Sequence, residues 1–551
     1  VRVAQVETAR AAPEVVTVTH RSVWLAACAG LVGFIGLIAL FYFEGVHAYP
    51  GNADRATIVL QGQAMAQGHL LLHGWTLPVD SFWTLDSVLF ALLTPLFGAT
   101  ATNMYVGPAV FVALLVLVGV ITVNEGSGPG SRASTLAGAG VVVVLLALPA
   151  HFLAYFLFGQ GVHIGTTLFA VLAFVCLKRS RFGLSWVVAV VLLAIGFLGD
   201  PLMIAYGIVP LLLAGAVAMA RTRSWRGGLP QISAAAAGIV AGEVTRRIVV
   251  AAGGYVSGAT IPIASAHQMV RNVGSVFLYA AELTGVTSRH RGTGGVPQPL
   301  AALHALGALL IAACVLATLA RLVAGAIRGP DRSDRPRSGE PDAWWRLDDM
   351  LVIGTLGPAA TYVGLALDSS VQTARYLVPS VILASLLSGR VVARLWPRLH
   401  ATAARRPVAI VAVVIALCFC AGAGLMVDQT QPAQPSRALS AWLESHDLHN
   451  GIGDYWAASL TTVESGGQVV VRPVQFDQSS NTMVAYPTNS AAGWYAEQRF
   501  DFLVYDLTYW GGVDLGSATS AFGQPEHTYT VAGYVVLVWR KPFMVSTSSS
   551  G

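Results

Sequence analysis

Two sets of ionisable residues stand out in a chain that has few charges. Asp54, Asp80 and Asp86 share one segment, the first in "YPGNADRATIVLQGQAMAQG" and the others in "PVDSFWTLDS". Arginines gather much later. Arg246 and Arg247 interrupt "AGEVTRRIVVAAGGY", Arg271 and the group Arg289, His290 and Arg291 follow, and Arg375 lies with Asp368 and Gln372 in "LDSSVQTARYLVP". His163 sits in "FGQGVHIGTT" and Asp200 in "FLGDPLM". A carboxylate meeting a guanidinium at a membrane edge suits one chemistry. The carboxylate takes the proton of a hydroxyl that attacks a sugar's anomeric carbon. The arginine holds the departing phosphate through bidentate, charge-assisted hydrogen bonds, and a phosphate carried on a lipid would be presented at that depth. The competing account is that charges at span ends are only solvated or snorkelling; it suffices for Glu44, and for Asp200 as an N-cap ahead of Pro201. It explains less well why acids gather in one loop and arginines in later ones.

The elements that must position these residues follow from composition. The chain has 551 residues, 55% hydrophobic and 11% charged, with mean hydropathy +0.63. A soluble protein would carry about 25% charge. Apolar runs near the ~20 residues needed to cross a bilayer recur along most of its length. The predicted spans are 23–43, 104–123, 134–150, 164–178, 183–199, 201–220, 230–251, 303–321, 349–367, 376–395 and 407–426. The Arg-rich loops starting at Lys178, Arg221, Arg328 and Arg390 all fall on one side, which the positive-inside rule makes the cytoplasm. The net charge of +5 is thus an orientation signal and gives no nucleic-acid footprint. Residues 44–103 are then an outer loop with Arg55 as its one basic Arg or Lys. Within it, "SVLFALLTPLFG" is apolar but short and contains Pro95, and reads as a re-entrant or interfacial segment.

The N-terminal residues 1–22 read as a cytoplasmic tail, and the first span as a retained anchor. All five cysteines lie in apolar runs, where they act as small hydrophobes and not as a disulfide or metal framework. After the membrane domain (23–426) the composition turns polar. Residues 427–543 read as an extracytoplasmic α/β domain: "SRALSAWLESHDL" has helical spacing, "ATSAFGQ" is a short helix, and "GQVVVRPV", "FDFLVYDL" and "YTVAGYVVLVWRK" read as strands. Residues 544–551 read as a disordered tail.

The ordered set "GNADRA", "DSFWTLD" before a segment ending "LFG", "GQGVHIGTTLFA", "GDPL", "AAGGY" before a long outer loop, and "ARYLVP" opening a late span resembles a known family. It is similar to the GT-C superfamily of integral-membrane glycosyltransferases, especially actinobacterial members that use polyprenyl-phosphate sugars. The resemblance covers most of the chain and rests on the order of the motifs, none of which is specific alone. It implies a polytopic α-helical membrane protein of about eleven spans with a small C-terminal extracytoplasmic α/β domain, in the plasma membrane with its N-terminus inside.

The resemblance also implies roles. An acid of the first outer loop is the catalytic base; Asp54 matches best, with Asp80 and Asp86 as alternatives. Many relatives carry an adjacent acidic pair that this loop lacks, which leaves the base and any use of a divalent cation open. Arg375 corresponds to the late-span arginine near the lipid phosphate, with Arg271, Arg246 and Arg247 assisting and His163 and Gln372 contacting sugar or phosphate. The implied reaction moves one sugar, arabinofuranose or mannose, with inversion, from a polyprenyl-phosphate donor to a glycan, glycolipid or protein acceptor outside the cell. Two rivals remain: a secondary transporter that uses the charges as an ion path, and a non-catalytic protein of envelope assembly. The aromatic motifs "DYW" (Asp454 to Trp456) and "GWY" (Gly493 to Tyr495) read either as a platform for acceptor glycan or as domain core.

Overall fold

The computed structural model describes residues 20–126, 132–179, 181–258, 262–287, 298–328, 343–367, 370–400, 417, 421, 434–496, 498–508 and 512–546. Arg289, His290, Arg291, Asp368 and nearly all of the expected span 407–426 lie outside the described residues.

The helical part runs α1 (His20–Ala48), α2 (Ala53–Ala66), α3 (Asp86–Phe97), α4 (Ala101–Gly126), α5 (Arg132–Ala147), α6 (His151–Ala154), α7 (Ile164–Leu177), α8 (Leu184–Gly199), α9 (Val209–Thr222), α10 (Leu229–Ala251), α11 (Ala266–Leu283), α12 (Gln298–Arg328), α13 (Ala343–Gly364) and α14 (Val378–His400). Among the described residues, five helical stretches are long and apolar enough to cross a membrane: Cys28–His47, Ala101–Asn124, Ile204–Thr222, Ala301–Ile327 and Val371–Pro397. A sixth is counted if Arg132–Ala147 and His151–Gln160, bent by 74°, form one span. The expectation of about eleven spans is therefore not matched by helices of full length among the described residues. Expected spans 164–178 and 183–199 fold as α7 and α8, apolar helices of 14 and 16 residues, short of the ~20 that cross a ~30 Å core without tilt or thinning. The short apolar run before Gly98 is helix α3, packed on α2 and α4.

Small residues let the central helices approach closely, the packing favoured where lipid supplies no hydrophobic drive. A Cβ added at Gly138 of α5 would sit 2.4 Å from the Gly389 carbonyl of α14. Below this contact, a charge cluster closes one end of the bundle. Asp348 of α13, fully buried, accepts from Arg390 Nε at 2.6 Å and from Arg394, while Asp349 accepts from Arg221 Nη1 at 2.9 Å.

The C-terminal part is an α/β domain. It comprises α15 (Pro435–Ser445), β3 (Asn450–Gly453), α16 (Tyr455–Glu464), β4 (Val470–Asp477), β5 (Thr482–Ala485), β7 (Phe500–Asp506), α17 (Leu515–Phe522), β8 (His527–Val531) and β9 (Tyr534–Phe543). Its six-stranded sheet has the order β5-β4-β3-β7-β9-β8, with β3 parallel to β4 and to β7 and the remaining pairs antiparallel. α15 and α16 bury Leu443 and Ala458 against Phe502, Val504 and Val536 on one face, and α17 buries Ala518 with Leu503 and Leu537 on the other. The single strand expected over "YTVAGYVVLVWRK" is a hairpin, because Ala532 and Gly533 both adopt φ > 0 (51° and 93°), as a tight two-residue turn requires.

A second, three-stranded sheet joins this domain to the helical part. β1 (Trp75–Leu77) pairs in parallel with β2 (Val256–Ser257) and antiparallel with β6 (Ser490–Ala491). Alongside it α16 packs over α2, with Thr57 Oγ1 donating to Ser459 Oγ at 2.9 Å. The α/β domain therefore sits on the end of the bundle that carries residues 44–103.

Candidate active site

Asn52 fixes the start of α2. Its Oδ1 accepts from the backbone N–H groups of Asp54 (2.9 Å) and Arg55 (3.3 Å), the N-cap arrangement that sets the first turn. Asp54 and Arg55 consequently leave the helix in different directions. Asp54 stays a quarter exposed, while Arg55 is 1% exposed and donates to the Phe158 carbonyl. Residues Tyr155–Gln160 form a π-helical turn, and Arg55 caps one of its carbonyls with its guanidinium 4.6 Å from the centre of the Tyr105 ring. Burial lowers the Arg55 guanidinium to about 10, so it remains charged at neutral pH. Its place is structural.

Asp54 Oδ2 lies 3.6 Å from Nη1 of Arg375. Arg375 belongs to a 3-10 turn, Val371–Leu377, that leads into α14; the Ser370 side chain caps it by accepting from the Gln372 N–H. The guanidinium also lies over the Tyr376 ring at 5.2 Å, and its Nε has no hydrogen-bond partner among the described residues. The other oxygen of Asp54, Oδ1, accepts from the Tyr455 hydroxyl at the start of α16.

The loop from β1 to α3 is stapled to the end of α8. Phe82 N–H and Ser81 Oγ both reach the Gly199 carbonyl (2.7 and 3.3 Å), and Thr84 Oγ1 reaches that of Ile195 at 2.6 Å. This places Asp80 opposite His163, with Asp80 Oδ2 3.9 Å from Nε2. His163 holds a left-handed backbone (φ 61°) just past the π-helical turn, a sterically costly conformation for a non-glycine. Its Nδ1 is 2.8 Å from Asp200 Oδ2, which also accepts from Thr166 Oγ1 at 2.6 Å. Asp200 Oδ1 takes the Leu202 N–H at 3.0 Å. Asp200 is therefore not the expected N-cap: it ends α8 as its C-cap, its Oδ1 closes a turn on the Leu202 N–H, and the fully buried carboxylate orients His163. With Nδ1 against the Asp200 carboxylate, the ring turns Nε2 toward Asp80. Burial raises the pKa of Asp80, with His163 pulling it down, the Asp200 charge pushing it up and Arg375 pulling it down.

The other expected residues divide. Gln372 meets Gln160, whose Nε2 donates to it, and Tyr155 at 3.4 Å, forming a polar patch beside Arg375. Asp86 is buried at the start of α3 with Oδ2 unpartnered among the described residues and facing Gly165. Arg271 is exposed on α11 with no ion pair among the described residues. Arg246 and Arg247 are exposed on α10 and clamp Glu243, at 2.8 and 3.0 Å, not the site. The i, i+3 and i, i+4 spacing from Glu243 was the sequence signal for that pairing. Tyr455 is the contact that sequence reasoning missed. The "DYW" motif carried a partial signal, since Asp454 is an N-cap that accepts from Trp456 and Ala457 N–H, which places Tyr455 at the first turn of a helix. Among the described residues no three His, Cys, Asp or Glu side chains converge as a metal set.

No family model matches the chain, and no curated protein does. Several solved structures do. ArnT from Cupriavidus metallidurans bound to undecaprenyl phosphate superposes with TM-score 0.50 at 15% identity, covering 93% of this chain and 98% of that one. The apo form of the same protein gives TM-score 0.49 at 13% identity over 93% and 98%. The oligosaccharyltransferase from Archaeoglobus fulgidus, in complex with Zn and sulfate, gives 0.42 at 12% identity over 93% and 73%. The chain shares the fold of ArnT from Cupriavidus metallidurans over nearly its whole length, and among the described residues it carries helical stretches long and apolar enough to cross a membrane.

Proposed function

We propose that the chain is a glycosyltransferase that moves one sugar from a polyprenyl-phosphate donor to a hydroxyl-bearing acceptor, with inversion. The observation that carries this reading is the meeting of Asp54 and Arg375 at 3.6 Å, with Tyr455 of the α/β domain on the other carboxylate oxygen. The likeness in fold to a protein bound to undecaprenyl phosphate supports the donor class. Asp54 accepts the proton of the acceptor hydroxyl. The acceptor oxygen bonds to the anomeric carbon, and the bond from that carbon to the phosphate oxygen breaks. The electron pair leaves with the phosphate, and Arg375 neutralises it through charge-assisted hydrogen bonds. Attack opposite the leaving group inverts the centre. His163, oriented by Asp200, and Gln372 present acceptor and donor groups to the sugar or phosphate. Asp80 is the alternative base, favoured by its approach to His163 Nε2 at 3.9 Å.

On this reading the site faces the cell exterior, residues 427–543 form an extracytoplasmic domain that meets a glycan, glycolipid or protein acceptor, and the sugar is arabinofuranose or mannose. The test is to supply purified protein in lipid nanodiscs with labelled decaprenyl-phosphate arabinofuranose or mannose and a glycan acceptor. A product of inverted anomeric configuration is expected. Turnover of neither donor, together with ion-driven solute uptake in sealed vesicles, would replace the reading with a transporter.

A further inference from the structure

Among the contacts that seat the α/β domain on the bundle, one side chain, Tyr455, reaches the acid of the first loop. Tyr455 is 6% exposed, and four contacts fix it. Its ring stacks on Tyr486 at 4.8 Å with the planes 19° apart, and Trp456 meets it edge-on at 5.3 Å. Asn489 Nδ2 donates to its oxygen at 2.9 Å, which leaves the phenolic O–H to donate to Asp54 Oδ1. The supports of Tyr455 are themselves anchored. Asp454, which caps α16, also accepts the backbone N–H of Asp506 on β7 at 2.6 Å. Asn489 adopts a left-handed backbone (φ 55°) directly before β6, the strand that pairs with β1 of the first loop.

The consequence lies in the geometry of the acid–arginine pair. Carboxylate and guanidinium free to meet close to about 2.7–2.9 Å and often pair in a two-pronged fashion. Here Oδ2 stops 3.6 Å from Nη1, just beyond hydrogen-bond range, while the phenol engages Oδ1 and Nη2 of the guanidinium donates to the Tyr376 hydroxyl at 3.3 Å. A collapsed pair would use the same guanidinium N–H groups that a phosphate needs. We propose that Tyr455 is a positioning residue, contributed by the α/β domain, that holds Asp54 off Arg375 so that the guanidinium stays open to a lipid-linked phosphate. This rests on the donor reading above, and it makes the α/β domain part of the site. Burial, and then the Asp54 charge beside it, hold the phenol far above the ordinary tyrosine range, so the hydroxyl remains a donor at any working pH.

The test needs no turnover. Undecaprenyl phosphate is titrated onto the full chain in nanodiscs and its affinity is measured for the wild type and for Tyr455→Phe, Asp54→Asn, the double variant and Arg375→Gln. Tyr455→Phe is expected to bind about tenfold more weakly, the size of one lost contact to a charged group, as Asp54 closes on Arg375. Asp54→Asn should bind at least as well as wild type, and the double variant should recover that level, a strongly non-additive cycle. Wild-type affinity in Tyr455→Phe, with Arg375→Gln weakened, overturns the inference and leaves the donor reading standing. A loss in Tyr455→Phe that Asp54→Asn does not rescue makes the tyrosine a fastener of the fold, which also overturns it. Unchanged affinity in Arg375→Gln removes the donor reading itself.

Discussion

Asp54 and Arg375 stand 3.6 Å apart with 26% and 25% of their side chains exposed, joining the first turn of α2 to the turn that opens α14. A pair this open and this long contributes about 0–1 kcal/mol to stability, so it is not kept as a fastener. Arg375→Gln is accordingly expected to leave the melting temperature almost unmoved while weakening undecaprenyl phosphate binding roughly 10- to 100-fold, the range for a lost hydrogen bond to a charged group. Calorimetry and lipid titration on the same preparation separate the two effects.

The carboxylate that orients His163 has the opposite character. Asp200 is fully buried and serves the His163 ring, the Thr166 hydroxyl and the Leu202 N–H at once. Asp200→Ala leaves these donors unsatisfied at about 1–3 kcal/mol each. A marked drop in unfolding free energy is expected, with Asp200→Asn falling between. If denaturant unfolding gave wild-type stability for Asp200→Ala, the network would not be a structural unit.

Asp80 carries a pH signature. Burial raises its pKa in the folded protein above its unfolded value, so the folded state binds the proton more tightly and stability is lost as pH rises through the folded pKa. Asp80→Asn removes that loss. The variant is expected to melt above wild type at neutral pH, with the difference shrinking toward the ordinary carboxylate range near ~4. A difference that grew on acidification would reverse the sign and the assignment.

At the other end of the bundle, Asp348 is enclosed by Arg390, Arg394 and Arg321. Removing one partner of such a buried set costs about 3–5 kcal/mol because the remaining charges are left without compensation. Asp348→Ala should therefore lower the melting temperature strongly, while lipid phosphate affinity measured below the transition stays at the wild-type value.

Local pattern carried some of this and distance in sequence hid the rest. The helices over 104–123 and 303–321 were legible because their apolar runs have membrane length, and β4, β7 and the β8–β9 stretch because β-branched and aromatic residues concentrate there; β3 and β5 were not among the expected strands. The π-helical turn at Tyr155–Gln160 was not legible, since "YFLFGQ" falls between the expected spans 134–150 and 164–178 and the turn is held by Arg55 from α2. Arg246 and Arg247 stood out as intramembrane charges, yet their partner, Glu243, was already within one helical turn. Asp54 and Arg375 could be proposed as a pair from type and order. Tyr455 could not, because a tyrosine beside a tryptophan in a small α/β domain is ordinarily core, and only the packing of α16 over α2 turns its hydroxyl toward Asp54.

Asp54 as proton acceptor is the step on which the proposed transfer turns. The direct measurement is turnover of a decaprenyl-phosphate sugar by Asp54→Asn and wild type at saturating donor, with binding of undecaprenyl phosphate checked in parallel. A fall in kcat of roughly 10²- to 10⁴-fold is expected, with lipid affinity retained. Wild-type kcat in Asp54→Asn would contradict it and move the role of base elsewhere, with Asp80 first in line.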